Sequence, residues 1–231
     1  MSVTNDSREQ FQTAIVPQLH DWGMFLRDEQ IETLWRFYGR VVETNNKFNL
    51  TRIIEPRDFA VRHILDSLAA AVWAGSVNVA ISTVLDVGTG AGAPAVPLAV
   101  AKPDWRITAI DGTAKKASFV QSCADELGIA NLRCLHARAE SWRSPAPFDL
   151  VVLKAVGSLE RCLRYARSLV SMGGHVVIFK SAAMAADELA NAERTAPEQG
   201  YSTPTLFHYM LSGSGDEPLE RDLWVYRLTR R

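Results

Sequence analysis

At 231 residues and 25.5 kDa, the chain has the length for one substantial core and too little for two. A composition of 47% hydrophobic and 22% charged residues excludes general disorder. The balance of 25 basic against 26 acidic side chains excludes a strongly polybasic surface but leaves room for a local basic cleft.

The first elements read as helices. Phe11, Ile15, Leu19, Trp22 and Leu26 recur at three- and four-residue steps, with Pro17 leaving a kink or break open. After Asp28, a candidate cap, Ile31, Leu34, Trp35, Tyr38, Val41 and Val42 form a second apolar stripe. A loop is expected around Asn45, Asn46 and Asn49, and a helical pattern returns from Phe59 to Ala74. Residues 1–75 are thus expected to form a helical extension packed on a 76–231 α/β core, together one domain.

Thr83–Val87 reads as a buried strand running into Gly88-Thr89-Gly90-Ala91-Gly92, with a helix following through Pro97–Val100. Strand Arg106–Ile110 ends at Asp111, and helix Lys115–Leu127 ends at Gly128. Leu132–His136 and Phe148–Leu153 are further strands; Leu159–Leu169 is helical, Gly173-Gly174 a turn and His175–Phe179 a strand. This alternation predicts a parallel sheet covered on both faces. A polar helix over Ala182–Thr195 precedes two late strands, Tyr201–Leu211 and Asp222–Leu228, joined through a Gly213–Pro218 loop and expected to make a mixed edge.

Met1–Gln10 lacks the basic flank and apolar core of a secretory signal, and the apolar Leu68–Ile81 is broken by Gly75, Ser76 and Asn78 and is too short for a bilayer. The expected compartment is the cytoplasm, with no membrane partner. Cys123, Cys134 and Cys162 form no short metal-binding pair, and their odd number argues against a purely intramolecular disulfide scaffold.

The sharpest constellation is Asp86-Val87-Gly88-Thr89-Gly90-Ala91-Gly92. Its glycines permit a tight strand-to-helix turn with backbone open to a ligand. Asp111 lies 25 positions after Asp86, at the end of the next strand, where it can accept hydrogen bonds from both hydroxyls of a ribose. A nicotinamide site shares these features. The acid before the glycines and the late position of the turn behind a helical lead favour S-adenosylmethionine.

Four blocks make the chain resemble the bacterial 16S ribosomal RNA guanine-N7 methyltransferase family, also called glucose-inhibited division protein B. They are Asn49-Leu50-Thr51 with Arg62-His63-Ile64-Leu65-Asp66-Ser67-Leu68; Leu85–Gly92; Lys115-Lys116; and Arg138-Ala139-Glu140. The resemblance implies a Rossmann-like, S-adenosylmethionine-dependent methyltransferase with an N-terminal helical extension, acting on 16S ribosomal RNA or the 30S subunit. It implies that Gly88, Thr89, Gly90 and Gly92 shape the cofactor turn, that Asp86 supports the turn and the methionine end, that Asp111 holds ribose, and that Ala139 and Glu140 flank adenine. The chain departs from the family pattern at Ala93-Pro94 and at Leu153-Lys154-Ala155, where lysine keeps the charge but not the planar, multidonor geometry of the usual arginine.

Guanine N7 carries its own lone pair, so methyl attack on it needs no base. The expected tasks of the protein are alignment and electrostatic control, without a metal or a mandatory carboxylate. Lys154, placed to reach guanine O6, a phosphate or the cofactor side, is the first candidate; Lys180 and Arg221 are the others. Arg62, His63 and Asp66 share a helix turn, where Asp66 is expected to brace Arg62 or the glycine loop, and His63 to face cofactor, RNA or the interior. His136, His175 and His208 are isolated. A monomer is expected. Methyl transfer to another RNA or a small metabolite, and a noncatalytic ribosome-binding protein, are the alternatives.

Overall fold

The computed structural model describes residues 5–212 and 218–231; of the expected 213–218 loop only Pro218 falls among them. Phe11, Ile15 and Leu19 are the buried face of α1 (Asn5–Asp21), which runs through Pro17 without a break. Helix α2 (Asp28–Asn45) starts one residue earlier than a capping role for Asp28 requires. Arg27 is its N-cap and gives its backbone N–H to Gln30 Oε1 at 2.9 Å, leaving Asp28 in the first turn, where its charge favours the helix dipole. The predicted stripe is buried, and Phe37, outside that stripe, is fully buried with it. Phe11 meets Trp35 and Tyr38 at ring separations of 5.5 and 5.8 Å, and Phe59 meets Phe37 and Tyr38 at 5.9 and 5.1 Å. These aromatic contacts tie α1 and α2 to α3 (Pro56–Phe59), which continues through a π-helical stretch (Ala60–Leu65) into α4 (Asp66–Ser76).

The core alternates β1 (Thr83–Val87), α5 (Ala95–Ala101), β2 (Arg106–Asp111), α6 (Ala114–Leu127), β3 (Leu132–His136), β4 (Phe148–Lys154), α7 (Leu159–Ala166) and β5 (Val170–Ser181). Helix α8 (Ala186–Glu198) leads to β6 (Thr205–Leu211) and β7 (Leu219–Arg227). One sheet has the order β3-β2-β1-β4-β5-β7-β6, with β1 to β5 parallel and the β5–β7 and β7–β6 pairs antiparallel. The expected mixed edge is therefore present. The Gly173-Gly174 pair lies inside β5, next to a register shift opposite Phe148 and Leu150, rather than ending a turn before the strand.

Side chains that alternate along each strand divide the core into two layers. Leu150 and Val152 of β4 face the helical lead with α5 and α6, whereas Val151 and Leu153 pack towards α7 and α8. This is a three-layer α/β fold. Because β1 pairs with β2 on one side and β4 on the other, the chain reverses its winding at β1. Open α/β sheets collect ligands in the crevice beyond the carboxyl ends of strands at such a switch point. Among the described residues, no helix is long and apolar enough to cross a membrane, and Cys123, Cys134 and Cys162 are buried free thiols.

Candidate functional site

The glycine turn leaves β1 at this switch point. Gly88 and Thr89 give their N–H groups to the carbonyl of Ile110 at 2.8 and 3.1 Å, fastening the turn to the end of β2. Gly90, at φ +58°, is open: an added Cβ would come no closer than 3.9 Å to any neighbour, the Gly88 carbonyl oxygen. Gly92 serves a different purpose. Its φ is +101°, and a Cβ there would lie 3.1 Å from Phe37 Cζ and 3.2 Å from Val96 Cγ2, so it seats α2 against the turn. We expect Gly92→Ala to cost about 2 kcal/mol or more, through strain at positive φ and overpacking against a buried ring. Urea unfolding checks this; an unchanged midpoint would overturn the packing role.

Asp111 is 7% exposed, and both its carboxylate oxygens are engaged. Oδ2 accepts the Gly90 N–H at 2.9 Å and Oδ1 the Thr113 N–H at 2.7 Å, so one carboxylate joins the turn after β1 to the start of α6. It is Asp111, not Asp66, that braces the glycine loop. Each oxygen keeps acceptor capacity for a further donor. The Ala137 N–H donates to the Asp111 carbonyl at 3.0 Å, which draws the segment carrying Ala139 and Glu140 alongside. Ala139 is buried and Glu140 exposed, its carboxyl held below the usual range chiefly by a hydrogen bond from Tyr165.

Asp86 is fully buried. Burial pushes its carboxyl up to about 7, against the opposing pull of the Thr89 hydroxyl and the Ala95 amide. Its Oδ2 accepts the Ala95 N–H at 3.0 Å. Thr89 lies near enough to lower Asp86, yet neither Asp86 Oδ1 nor Thr89 Oγ1 makes a hydrogen bond of normal geometry within the described residues. The Asp86–Thr89 pair beside an open glycine turn, with the Asp111 carboxylate keeping acceptor capacity at the next strand end, fits a nucleoside bearing a polar amino-acid end.

A second cluster gathers beyond β4, β5 and β7. Lys154, Lys180 and Arg221 line one cleft of about 260 Å³ together with Asp66, Phe179 and Ser181. None of the three points freely into solvent. Lys154 Nζ sits 2.8 Å from Asp66 Oδ2 and donates to the Arg62 carbonyl at 2.6 Å, at only 14% side-chain exposure. Tyr209 donates to Asp66 Oδ1 at 2.6 Å, and Arg221 Nε lies 3.9 Å from the same oxygen. Lys180 Nζ contacts Glu188 Oε1 at 2.5 Å and donates to the Gly157 carbonyl at 2.8 Å. Asp66, almost buried, needs such partners, because an unpaired charge there would forfeit its hydration.

His63 packs on the Phe59 ring at 4.7 Å, with Nε2 3.0 Å from Thr51 Oγ1. Burial and then the Lys154 charge push it down to about 3, so its ring is neutral at physiological pH. His136 meets the Gly112 carbonyl at 3.2 Å and His208 pairs with Asp222 at 2.9 Å. Among the described residues, no group of three His, Cys, Asp or Glu side chains is placed to hold a metal ion.

Tyr209, Thr113 and Phe37 had not been singled out in the sequence. The tendency of aspartate to bond backbone two residues on could have found Thr113, and Phe37 falls three residues after Leu34 on a widened stripe. Nothing local announces Tyr209, which lies 143 positions from Asp66.

The chain covers 69% of its length with a precorrin-6y methyltransferase from Geobacter metallireducens, and 86% of that chain, at a TM-score of 0.50 and 18% identity. It superposes on the YcgJ protein of Bacillus subtilis at a TM-score of 0.55 and 14% identity, covering 71% of this chain and 99% of that one. These likenesses concern the fold, a Rossmann-like methyltransferase fold. Curated relatives go further. The ribosomal RNA small subunit methyltransferase G of Leuconostoc citreum is 33% identical over 210 residues, covering 88% of this chain and 86% of its own. Its namesake in Listeria monocytogenes is 30% identical over 226 residues, covering 96% and 91%. The family model described as GidB, rRNA small subunit methyltransferase G, matches residues 30–208. The chain belongs to this methyltransferase family.

Proposed function

We propose that the protein methylates N7 of a guanine in 16S ribosomal RNA, using S-adenosylmethionine. The observation that carries this reading is the family match over residues 30–208, joined to an open glycine turn braced by Asp111 at the expected switch point. When bound, S-adenosylmethionine supplies a methyl group made electrophilic by a positively charged sulfur.

Asp111 would accept the ribose hydroxyls with its remaining lone pairs. Gly88, Thr89 and Gly90 would carry the amino-acid end, with the Asp86 and Thr89 oxygens taking polar hydrogens there. Gly92 would hold the turn in place from behind, and Ala139 and Glu140 would flank the adenine. The cleft groups also suit this substrate. Lys154, Lys180 and Arg221 bring positive charge to the strand ends, favouring an electron-rich base edge or phosphate. His63, neutral and hydrogen-bonded to Thr51, is spent on structure. A target nitrogen with its own lone pair makes no demand for a proton acceptor in the cleft.

The same reading treats residues 1–75 as an extension on the 76–231 core within one domain, and the protein as a cytoplasmic monomer acting on 16S RNA or the 30S subunit. Purified 30S particles and naked 16S RNA incubated with labelled donor, followed by nucleoside analysis, test it. Labelled 7-methylguanosine is expected from at least one. Its absence from both, with donor binding demonstrated, would overturn the assignment.

A further inference from the structure

The lysines and the arginine at the carboxyl edge of the sheet each face a carboxylate: Lys154 and Arg221 face Asp66, and Lys180 faces Glu188. The opposite edge is built differently. There Arg167 Nε donates to the Gln199 carbonyl at 2.8 Å, Arg227 Nε to Gly173 at 3.0 Å, Arg230 to Pro197 at 2.7 Å and Arg231 to Val170 at 3.4 Å. All four are exposed, and among the described residues none forms an ion pair with a carboxylate. Arg164, Arg167 and Arg231 share a cleft of about 430 Å³ with Ser168, and among the described residues the only carboxylate paired with any of these is Glu160, 3.8 Å from Arg164.

A guanidinium has five N–H donors in a fixed fork. A backbone carbonyl takes one or two of them and fixes the plane without neutralising the charge. Several guanidiniums so held keep free donors and full charge towards solvent, the arrangement that recognises phosphate oxygens. The three cations of the carboxyl-edge cleft are thus compensated by carboxylates, whereas among the described residues Arg167, Arg227, Arg230 and Arg231 are held by carbonyls alone.

We propose that the Arg164, Arg167, Arg227, Arg230 and Arg231 edge is a docking surface for the phosphate backbone of folded RNA, separate from the methyl-transfer crevice. The inference rests on the RNA reading above and adds how the substrate is held. Lys180 lies six positions after Gly174 along β5, on the order of 20 Å at the rise of a strand. A substrate engaging both edges must span that distance, so the surface selects a large folded RNA over a mononucleotide or a small metabolite. Shape and backbone contact are how proteins commonly recognise such RNA.

The test is 16S RNA transcribed in vitro and, in parallel, purified 30S particles, bound across a salt series by wild type, by a triple Arg164→Gln/Arg167→Gln/Arg231→Gln variant, and by the matching Arg→Lys triple. S-adenosylhomocysteine binding and urea unfolding are measured on each. Loss of three phosphate contacts is expected to flatten the log–log salt slope by about 2 and to weaken binding at low salt by about tenfold or more in the glutamine variant. The lysine triple is expected to keep the slope, and all three proteins to bind S-adenosylhomocysteine alike. An unchanged slope and affinity in a folded glutamine variant overturns the proposal. So does an equal flattening of the slope in the lysine triple, which keeps the three charges and would make the effect one of packing. Loss of 30S binding with retained 16S RNA binding would put a ribosomal protein on this edge instead. Failure of wild type to bind 16S RNA at all would remove the RNA reading first, and this inference with it.

Discussion

Lys154→Ala is expected to lower the unfolding free energy by about 2–3 kcal/mol and to abolish most methyl transfer. Removing the ammonium takes away the 2.8 Å partner of Asp66, a carboxylate at 5% side-chain exposure. Breaking a buried pair from one side costs about 3–5 kcal/mol. The cost falls at or below the bottom of that range here because Lys154 is partly exposed and Tyr209 and Arg221 still face Asp66. Stability and chemistry can be separated by removing both charges. Asp66→Asn with Lys154→Met leaves an amide oxygen for Tyr209 and strands only the charge of Arg221, whose side chain at 25% exposure keeps part of its hydration, so stability should return to within about 1 kcal/mol of wild type. Methylation should stay low, because the cation at the strand end is still missing. Urea unfolding and single-turnover methylation of 16S RNA read the two effects. A double variant as unstable as the single one would remove the pair as the cause, and a fully active double variant would remove the role of the charge.

Tyr209 shows why this network was only half legible in the sequence. Asp66 and Lys154 could each be placed, one on a helix turn and one at a strand end, by periodicity and by the length of the apolar run Phe148–Leu153. Their pairing depends on how α4 crosses the sheet, and Tyr209 arrives from β6, whose antiparallel register fixes it opposite Arg221 on β7. No local pattern encodes either fact. The glycine turn lies at the other extreme. Strand, acid, glycines and second acid follow within 26 consecutive positions, Asp86–Asp111, and parallel pairing of β1 with β2 brings the two acids to one edge. Fold and turn could be read there because short-range sequence carries both. What could not be read was the division of labour among the glycines. Gly90 is open whereas Gly92 faces a phenylalanine from a helix more than fifty positions away, a difference settled by packing. The amino-edge arginines were hidden for a related reason, since the total charge of −1 averages compensated and uncompensated cations together.

Asp111→Ala is expected to weaken S-adenosylhomocysteine binding by about 2–4 kcal/mol, a factor of roughly 30 to 1,000, through loss of one or two charge-assisted hydrogen bonds. A bare loss of affinity would not identify the cause, because the same carboxylate holds the Gly90 and Thr113 N–H groups and its removal loosens the turn. Asparagine is no gentler. One end of its amide would present N–H donors to a backbone N–H, at whichever of Gly90 or Thr113 it faced. The ligand must therefore be varied as well as the protein. Wild type should bind S-adenosylhomocysteine more tightly than its 2′-deoxy counterpart, by about 1.5–3 kcal/mol if the hydroxyl meets a charged acceptor. The alanine variant should bind both ligands with nearly equal affinity, since loosening of the turn affects them alike and cancels in the cycle. Calorimetric titration of the four combinations decides the matter: if the variant discriminates against the deoxy ligand as strongly as wild type, Asp111 braces the loop and does not hold the ribose.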